Sequence, residues 1–165
     1  MQFIPVCAVT AWSGTGKTTY LEKLIPALKA LGLRIAVVKH DGHDFDLDYP
    51  GKDSWRMTAA GADVTAIVSP FRAAVMENRP IPMANVVANM QNVDLILVEG
   101  DKQGDWPKLL LYREDSGKPL AADPEDCLLV VSDTPIVTTR PLFSLDNLTG
   151  VAGFLAEWAT CNRPC

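Results

Sequence analysis

The sequence predicts an α/β fold: a mostly parallel sheet with helices on both faces and an inserted β-hairpin. Three observations carry this. Short aliphatic runs alternate with longer stretches of helical spacing along the chain. The first aliphatic run empties into a glycine-rich loop that opens a helix. Two β-prone runs flank a Pro70-Phe71 turn. The chain has 165 residues, 48% apolar and 21% charged, which suits one compact domain spanning residues 1–165.

The elements follow in order. Ile4 to Thr10 is a short apolar strand. Lys17 to Leu31 is a helix, because Leu21, Leu24, Ile25, Leu28 and Leu31 recur at helical spacing and Gly32 is a natural stop. Pro26 lies inside it and removes one backbone hydrogen bond. Arg34 to Lys39 is the second strand, and a polar loop runs from His40 to Gly51. Lys52 to Ala60 is a short helix ended by Gly61. Val64 to Ser69 and Arg72 to Glu77 form the hairpin. Ile81 to Met90 is a weaker helix, with Pro82 in its first turn. Asp94 to Val98, Lys108 to Tyr112 and Cys127 to Val131 are further strands. Asp146 to Ala159 is the last helix, with Leu148, Val151, Leu155 and Trp158 on one face.

The segment Ala11-Trp12-Ser13-Gly14-Thr15-Gly16-Lys17-Thr18 matches a phosphate-binding P-loop with Ala in the first glycine position. Gly14 and Gly16 permit backbone conformations that a side chain would block. Successive amides from Ser13 through Thr19 then form an anion nest at a helix N-terminus. Lys17 reaches the β- and γ-phosphates, and the Thr18 hydroxyl ligates Mg²⁺. The strand before the loop and the amphipathic helix after it are the context the motif requires, and the fold is therefore of the P-loop NTPase type.

Asp94-Leu95-Ile96-Leu97-Val98-Glu99-Gly100 is an aliphatic strand with an acid at each end. Glu99 is at the C-terminal end, the edge where ligands bind in open α/β sheets, and is the candidate for holding Mg²⁺ or ordering water. Asp94, at the opposite end, reads as a solvated cap. The run from Lys39 to Asp48 is dense in His and Asp. It reads as a substrate-facing or switch-like loop helping to hold Mg²⁺ through water, with a transition-metal site or a solvated acidic loop as alternatives. Asp53 either caps the next helix or reaches the Mg²⁺ shell.

Taken together, these motifs resemble the MobB family of molybdopterin-guanine dinucleotide biosynthesis adaptor proteins. The match is carried by residues 11–19, Lys39-His40, Phe45-Asp46-Leu47-Asp48, Pro50-Gly51-Lys52-Asp53-Ser54, Ala60-Gly61-Ala62 and Asp94 to Gly100. It runs through most of the chain and thins after about residue 115; the stretch from Lys39 to Ser54 is its most specific part. The resemblance implies a GTP-binding protein with weak GTPase activity that associates with the guanylyltransferase MobA, which joins GMP to molybdopterin. It also implies a homodimer, with the hairpin near residues 64–77 as the candidate surface, and makes molybdopterin a candidate ligand. One departure stands out: Asp101 precedes Lys102 where the family usually has an aromatic residue.

Guanine specificity rests mainly on that resemblance, because no Asn-Lys-x-Asp run exists. Asp133 follows an apolar strand and could accept hydrogen bonds from guanine N1 and N2, or could simply form a turn before Thr134-Pro135. The alternative function is a small-molecule kinase using ATP. The scattered arginines, with no Arg-rich lid, weigh against it.

Composition narrows the rest. A net charge of −5 excludes a general electrostatic match to nucleic acid or an anionic membrane. No apolar run approaches the ~18 residues of a membrane span, and the first strand lacks the basic flank of a signal peptide. A reduced, cytoplasmic protein is expected. Cys7 and Cys127 read as core residues, and Cys161 with Cys165 as a terminal pair open to a metal or disulfide role.

Overall fold

The computed structural model describes residues 4–163. They divide into two compact units, one formed by residues up to His40 together with those from Met90 onward, the other by Asp41–Asn89.

The first unit holds a six-stranded sheet in the order β2-β5-β1-β6-β7-β8. Its strands are β1 (Val6–Thr10), β2 (Ile35–Lys39), β5 (Leu95–Glu99), β6 (Lys108–Tyr112), β7 (Leu129–Ser132) and β8 (Leu142–Ser144). Every pairing is parallel. In β5 the side chains of Leu95, Ile96, Leu97 and Val98 are wholly buried, which is why the run shows no polar alternation. Each stabilises the fold by roughly 1.5–3 kcal/mol relative to an exposed position.

Helices α1 (Lys17–Ala30) and α4 (Leu148–Cys161) pack on one face of this sheet. Leu21, Leu24 and Leu28 of α1 and Val151 and Leu155 of α4 join Cys7, Val9, Leu97, Leu109 and Leu129 in one apolar cluster. On the other face Leu110, Cys127 and Val130 are covered by Ala121, Ala122 and Ile136, from irregular segments. Gly32, at φ 83°, ends α1 as its sequence position requires. Asn147 caps α4 by accepting the Gly150 amide at 3.0 Å.

Two features of this unit depart from the sequence reading. Strand β8 was not anticipated; at three residues it is too short to display a period. Asp94 is not a solvated cap. Its carboxylate is buried under two arginines: Arg34 donates from its backbone N (2.7 Å), Nε (3.0 Å) and Nη2 (3.0 Å), and Arg163 pairs with it at 2.8 Å. The hydrogen bonds from Arg34, reinforced by Arg163, hold this carboxyl well below the usual carboxylate range against the opposing effect of burial.

The second unit contains α2 (Asp53–Ala59), the hairpin β3 (Val64–Val68) with β4 (Ala73–Glu77), and α3 (Met83–Ala88). The hairpin pairs antiparallel, Val64 opposite Glu77 and Val68 opposite Ala73. Thr65 turns inward and its hydroxyl meets that of Thr58 on α2 at 2.8 Å. Asp53 is the first residue of α2 rather than its cap: Lys52 holds that position, and Asp53 instead pairs with Arg56 at 3.6 Å.

Candidate phosphate-binding site

The buried strand β1 delivers the chain to the loop, and Gly14 (φ 81°) and Gly16 (φ 93°) turn it through the left-handed region. That region costs a residue with a Cβ roughly 1–2 kcal/mol, so the two glycines are a geometric requirement. Helix α1 begins at Lys17 without any side-chain cap. Among the described residues, the amides of Ser13, Gly14, Gly16, Lys17, Thr18 and Thr19 donate to no acceptor, whereas Thr15 is tied to the Trp12 carbonyl at 3.3 Å and Tyr20 to that of Gly16 at 2.9 Å. Unpaired donors in a loop and in the first turn of the helix that follows it are the kind of group that receives an anion.

Lys17 folds back over this loop, its Nζ donating to the carbonyls of Ala11 and Trp12 at 3.1 Å each. Burial lowers its pKa below the ordinary lysine value; Glu99 opposes that shift, while Lys102 and Lys118 add to it. The Thr18 hydroxyl donates to Glu99 Oε1 at 2.5 Å. The sheet register brings them together. Glu99 lies beside Val9 on one side and Lys39 on the other. The amides of Gly100 and His40 then bond the carbonyls of Val9 (3.1 Å) and Glu99 (2.9 Å). A hydroxyl and a carboxylate oxygen converging in this way are hard oxygen donors that fit Mg²⁺, which takes few protein ligands and completes its shell with phosphate and water.

Three further residues stand at the loop, Lys102, Lys118 and Arg113, and the last two are ones that sequence reasoning did not place there. Lys102 Nζ lies 3.6 Å from the centre of the Trp12 ring, a cation–π contact. Its neighbour Asp101 takes φ 54°, a left-handed conformation that Asp tolerates better than an aromatic residue does. Lys118 Nζ donates to the Ser13 carbonyl and lies 3.7 Å from where a Cβ on Gly14 would stand. Arg113 Nε lies 3.6 Å from the corresponding point on Gly16. Asp133 joins this arrangement from β7: its Oδ1 accepts the Glu114 amide at 2.9 Å. One sequence signal could have found Arg113, namely its position directly after a strand at the ligand-binding edge of the sheet.

The family model described as molybdopterin guanine dinucleotide synthesis protein B, MobB, matches residues 6–133. The chain belongs to the MobB family. It is 41% identical to the molybdopterin-guanine dinucleotide biosynthesis adapter protein of Escherichia coli, with 94% of this chain and 93% of the relative covered. Identity to the protein of the same description from Haemophilus influenzae is 40%, covering 94% and 89%. Among solved structures, Bacillus subtilis MobB superposes with a TM-score of 0.75 at 25% identity, covering 93% of this chain and 98% of that one. The MobB homologue of Bacillus stearothermophilus gives 0.67 at 26%, covering 95% and 99%.

The MobB match spans every residue of the loop site, from Ser13 to Asp133. Asp53 and the loop after His40 lie in the second unit. Phe45, Leu47 and Tyr49 of that loop are exposed. Among the described residues no group of three or more His, Cys, Asp or Glu side chains is placed to hold a metal ion. Cys7 and Cys127 are core residues; burial pushes the Cys7 thiol up to about 12 and raises Cys127 as well. Cys161 is exposed, and Cys165 lies outside the described residues. No described helix is long and apolar enough to cross a membrane.

Proposed function

We propose that this chain is a GTP-binding adaptor of molybdopterin-guanine dinucleotide biosynthesis, hydrolysing GTP slowly and assisting a MobA-type guanylyltransferase as it joins GMP to molybdopterin. The observation that carries the reading is the Thr18–Glu99 contact at the end of a loop with six unpaired amides, in a chain whose relatives are described as adapters of that pathway.

In this reading the amides from Ser13 to Thr19 receive phosphate oxygens. Lys17 exchanges its two carbonyl acceptors for the β- and γ-phosphates. Thr18 and Glu99 hold Mg²⁺, and Asp53 is a further candidate for that shell. The ion, when bound, neutralises charge on the transferred phosphoryl group. Asp133 Oδ2 has no partner among the described residues and is available to guanine, while Oδ1 anchors the chain at Glu114. Positioning and charge supply the catalysis, and no general base is built into the loop, in keeping with slow turnover without a partner.

The adaptor acts as a homodimer through its hairpin. Phe71 is 94% exposed and Val68 76% exposed on a two-stranded sheet with two open edges, a surface that a second copy would cover.

The test is competition between GTP and ATP for the purified protein with Mg²⁺, followed by pull-down with the guanylyltransferase. GTP preference and co-purification are expected. ATP preference with phosphate transfer to a small acceptor would establish the kinase alternative instead.

A further inference from the structure

The seven arginines are scattered in the sequence, yet the fold gives one of them a particular place. Thr10 pairs with Leu110 in the parallel register of β1 and β6. Ser13 and Arg113 are each three residues beyond that rung, so the chain leaving β6 rises beside the loop leaving β1. Arg113 Nε is buried and has no hydrogen-bond partner among the described residues. It faces Gly16, the residue at the N-cap of helix α1, whose carbonyl accepts the Tyr20 amide. A buried guanidinium N–H left without an acceptor is costly in a folded protein. Beside the unpaired amide of Gly16, an anion would supply the acceptor that this N–H lacks.

The segment carrying Arg113 is also held in place. The amide and hydroxyl of Ser116 return to the Arg113 carbonyl at 3.1 and 2.6 Å. Gly117 donates to the Glu114 carbonyl at 3.0 Å with φ 63°. Asp133 fixes the Glu114 amide from the neighbouring strand. This closed turn presents Arg113 at its start and Lys118 just beyond its end, both against the loop.

We propose that Arg113 binds the phosphate chain of the nucleotide directly, in cis, with Lys118 as a second cation on the same turn and Asp133 as the positioning residue that holds the turn. The inference rests on the reading of this loop as a nucleotide site and adds to it a specific ligand outside the P-loop motif. Its chemistry is that of a planar guanidinium, which pairs with two phosphoryl oxygens at once, where a lysine offers a point charge. It adds two cations to Lys17 at the loop, so that a polyphosphate would meet several positive groups in a chain that is acidic overall. Lys118 releases the Ser13 carbonyl to do so, just as Lys17 releases Ala11 and Trp12.

The experiment measures GTP, GDP and pyrophosphate binding by calorimetry, with Mg²⁺, for the full-length wild type and for Arg113→Gln, Arg113→Lys, Asp133→Asn and Lys17→Ala. Thermal melts accompany each variant. Removing an unpartnered side chain should leave the melt of Arg113→Gln near that of wild type. The expected result is GTP affinity lower by roughly 10- to 100-fold in Arg113→Gln, the loss of one charge-assisted hydrogen bond or a bidentate pair. Arg113→Lys should recover part of this, and pyrophosphate binding should fall in parallel with GTP, which places the contact on phosphate rather than base. Asp133→Asn should weaken pyrophosphate binding less than Arg113→Gln does, and pyrophosphate is the ligand that reads its positioning role because it carries no base for Asp133 Oδ2 to bond. Wild-type affinity in Arg113→Gln, with Lys17→Ala inactive, would overturn this inference and leave the nucleotide site standing. A wild type that binds none of the three ligands would overturn both.

Discussion

The Thr18 hydroxyl donates to Glu99 Oε1 at 2.5 Å, although 81 residues separate them in the sequence. The contact exists because β5 lies beside β1, with Glu99 level with Val9. It brings the first turn of α1 to the end of β5, where the four buried residues Leu95 to Val98 give way to the half-buried Glu99. Glu99→Gln keeps the shape and removes the charge. It should weaken Mg²⁺-dependent GTP binding by about tenfold and leave Mg²⁺-free binding unchanged. Titrations with and without the ion check this; equal loss in both would remove Glu99 from the metal shell.

Lys17→Ala should abolish measurable triphosphate binding. The side chain makes its two hydrogen bonds only to the carbonyls of Ala11 and Trp12. The melting temperature should therefore stay within a few degrees of wild type. A large drop in stability would show that Lys17 serves the fold rather than the ligand.

Gly100→Ala tests the strand end. Gly100 has φ 100°, and an added Cβ would stand 3.2 Å from the His40 carbonyl oxygen. The conformational cost alone is roughly 1–2 kcal/mol. A lower melting temperature is expected, together with weaker Mg²⁺ dependence as Glu99 shifts. A variant as stable as wild type would mean that the backbone here relaxes freely.

Asp94 ties the start of β5 to Arg34 and Arg163, far from the loop site in the strand direction. Its folded pKa is depressed, so its contribution to stability is present above the ordinary carboxylate pKa of about 3.9 and is lost as pH falls toward the folded value. Asp94→Asn should lower the melting temperature by a few degrees at pH 7, and the gap from wild type should narrow below pH 4. A gap that does not change with pH would assign the effect to hydrogen bonding without charge. Arg34 is largely exposed, and screening by water keeps the effect modest.

Phe71→Asp addresses the hairpin. Its side chain is almost wholly exposed at the turn between β3 and β4. If a second copy covers this surface, the substitution should shift the protein from dimer to monomer in sedimentation velocity without altering the thermal melt of the monomer. An unchanged sedimentation coefficient would place the dimer contact elsewhere.

Much of this protein was legible from local pattern. The P-loop, the helix it opens, the hairpin about Pro70-Phe71 and the buried strand ending at Glu99 each follow from a spacing or a residue type that acts within a few positions. The family was legible for the same reason, because the run from Lys39 to Ser54 is contiguous. Strand β8 escaped because three residues carry no period. Asp94 was misjudged because its partners, Arg34 and Arg163, are 60 and 69 residues away.

The sequence by itself determined that a glycine-rich loop with unpaired amides stands between an apolar strand and an amphipathic helix, since glycine conformations and unpaired helix amides are local consequences of residue identity. Only the tertiary structure decided which side chains surround that loop. Strand order and register set those neighbours, and they arise from long-range pairing that no local spacing encodes: Glu99 arrives through β5, and Arg113 with Lys118 through β6.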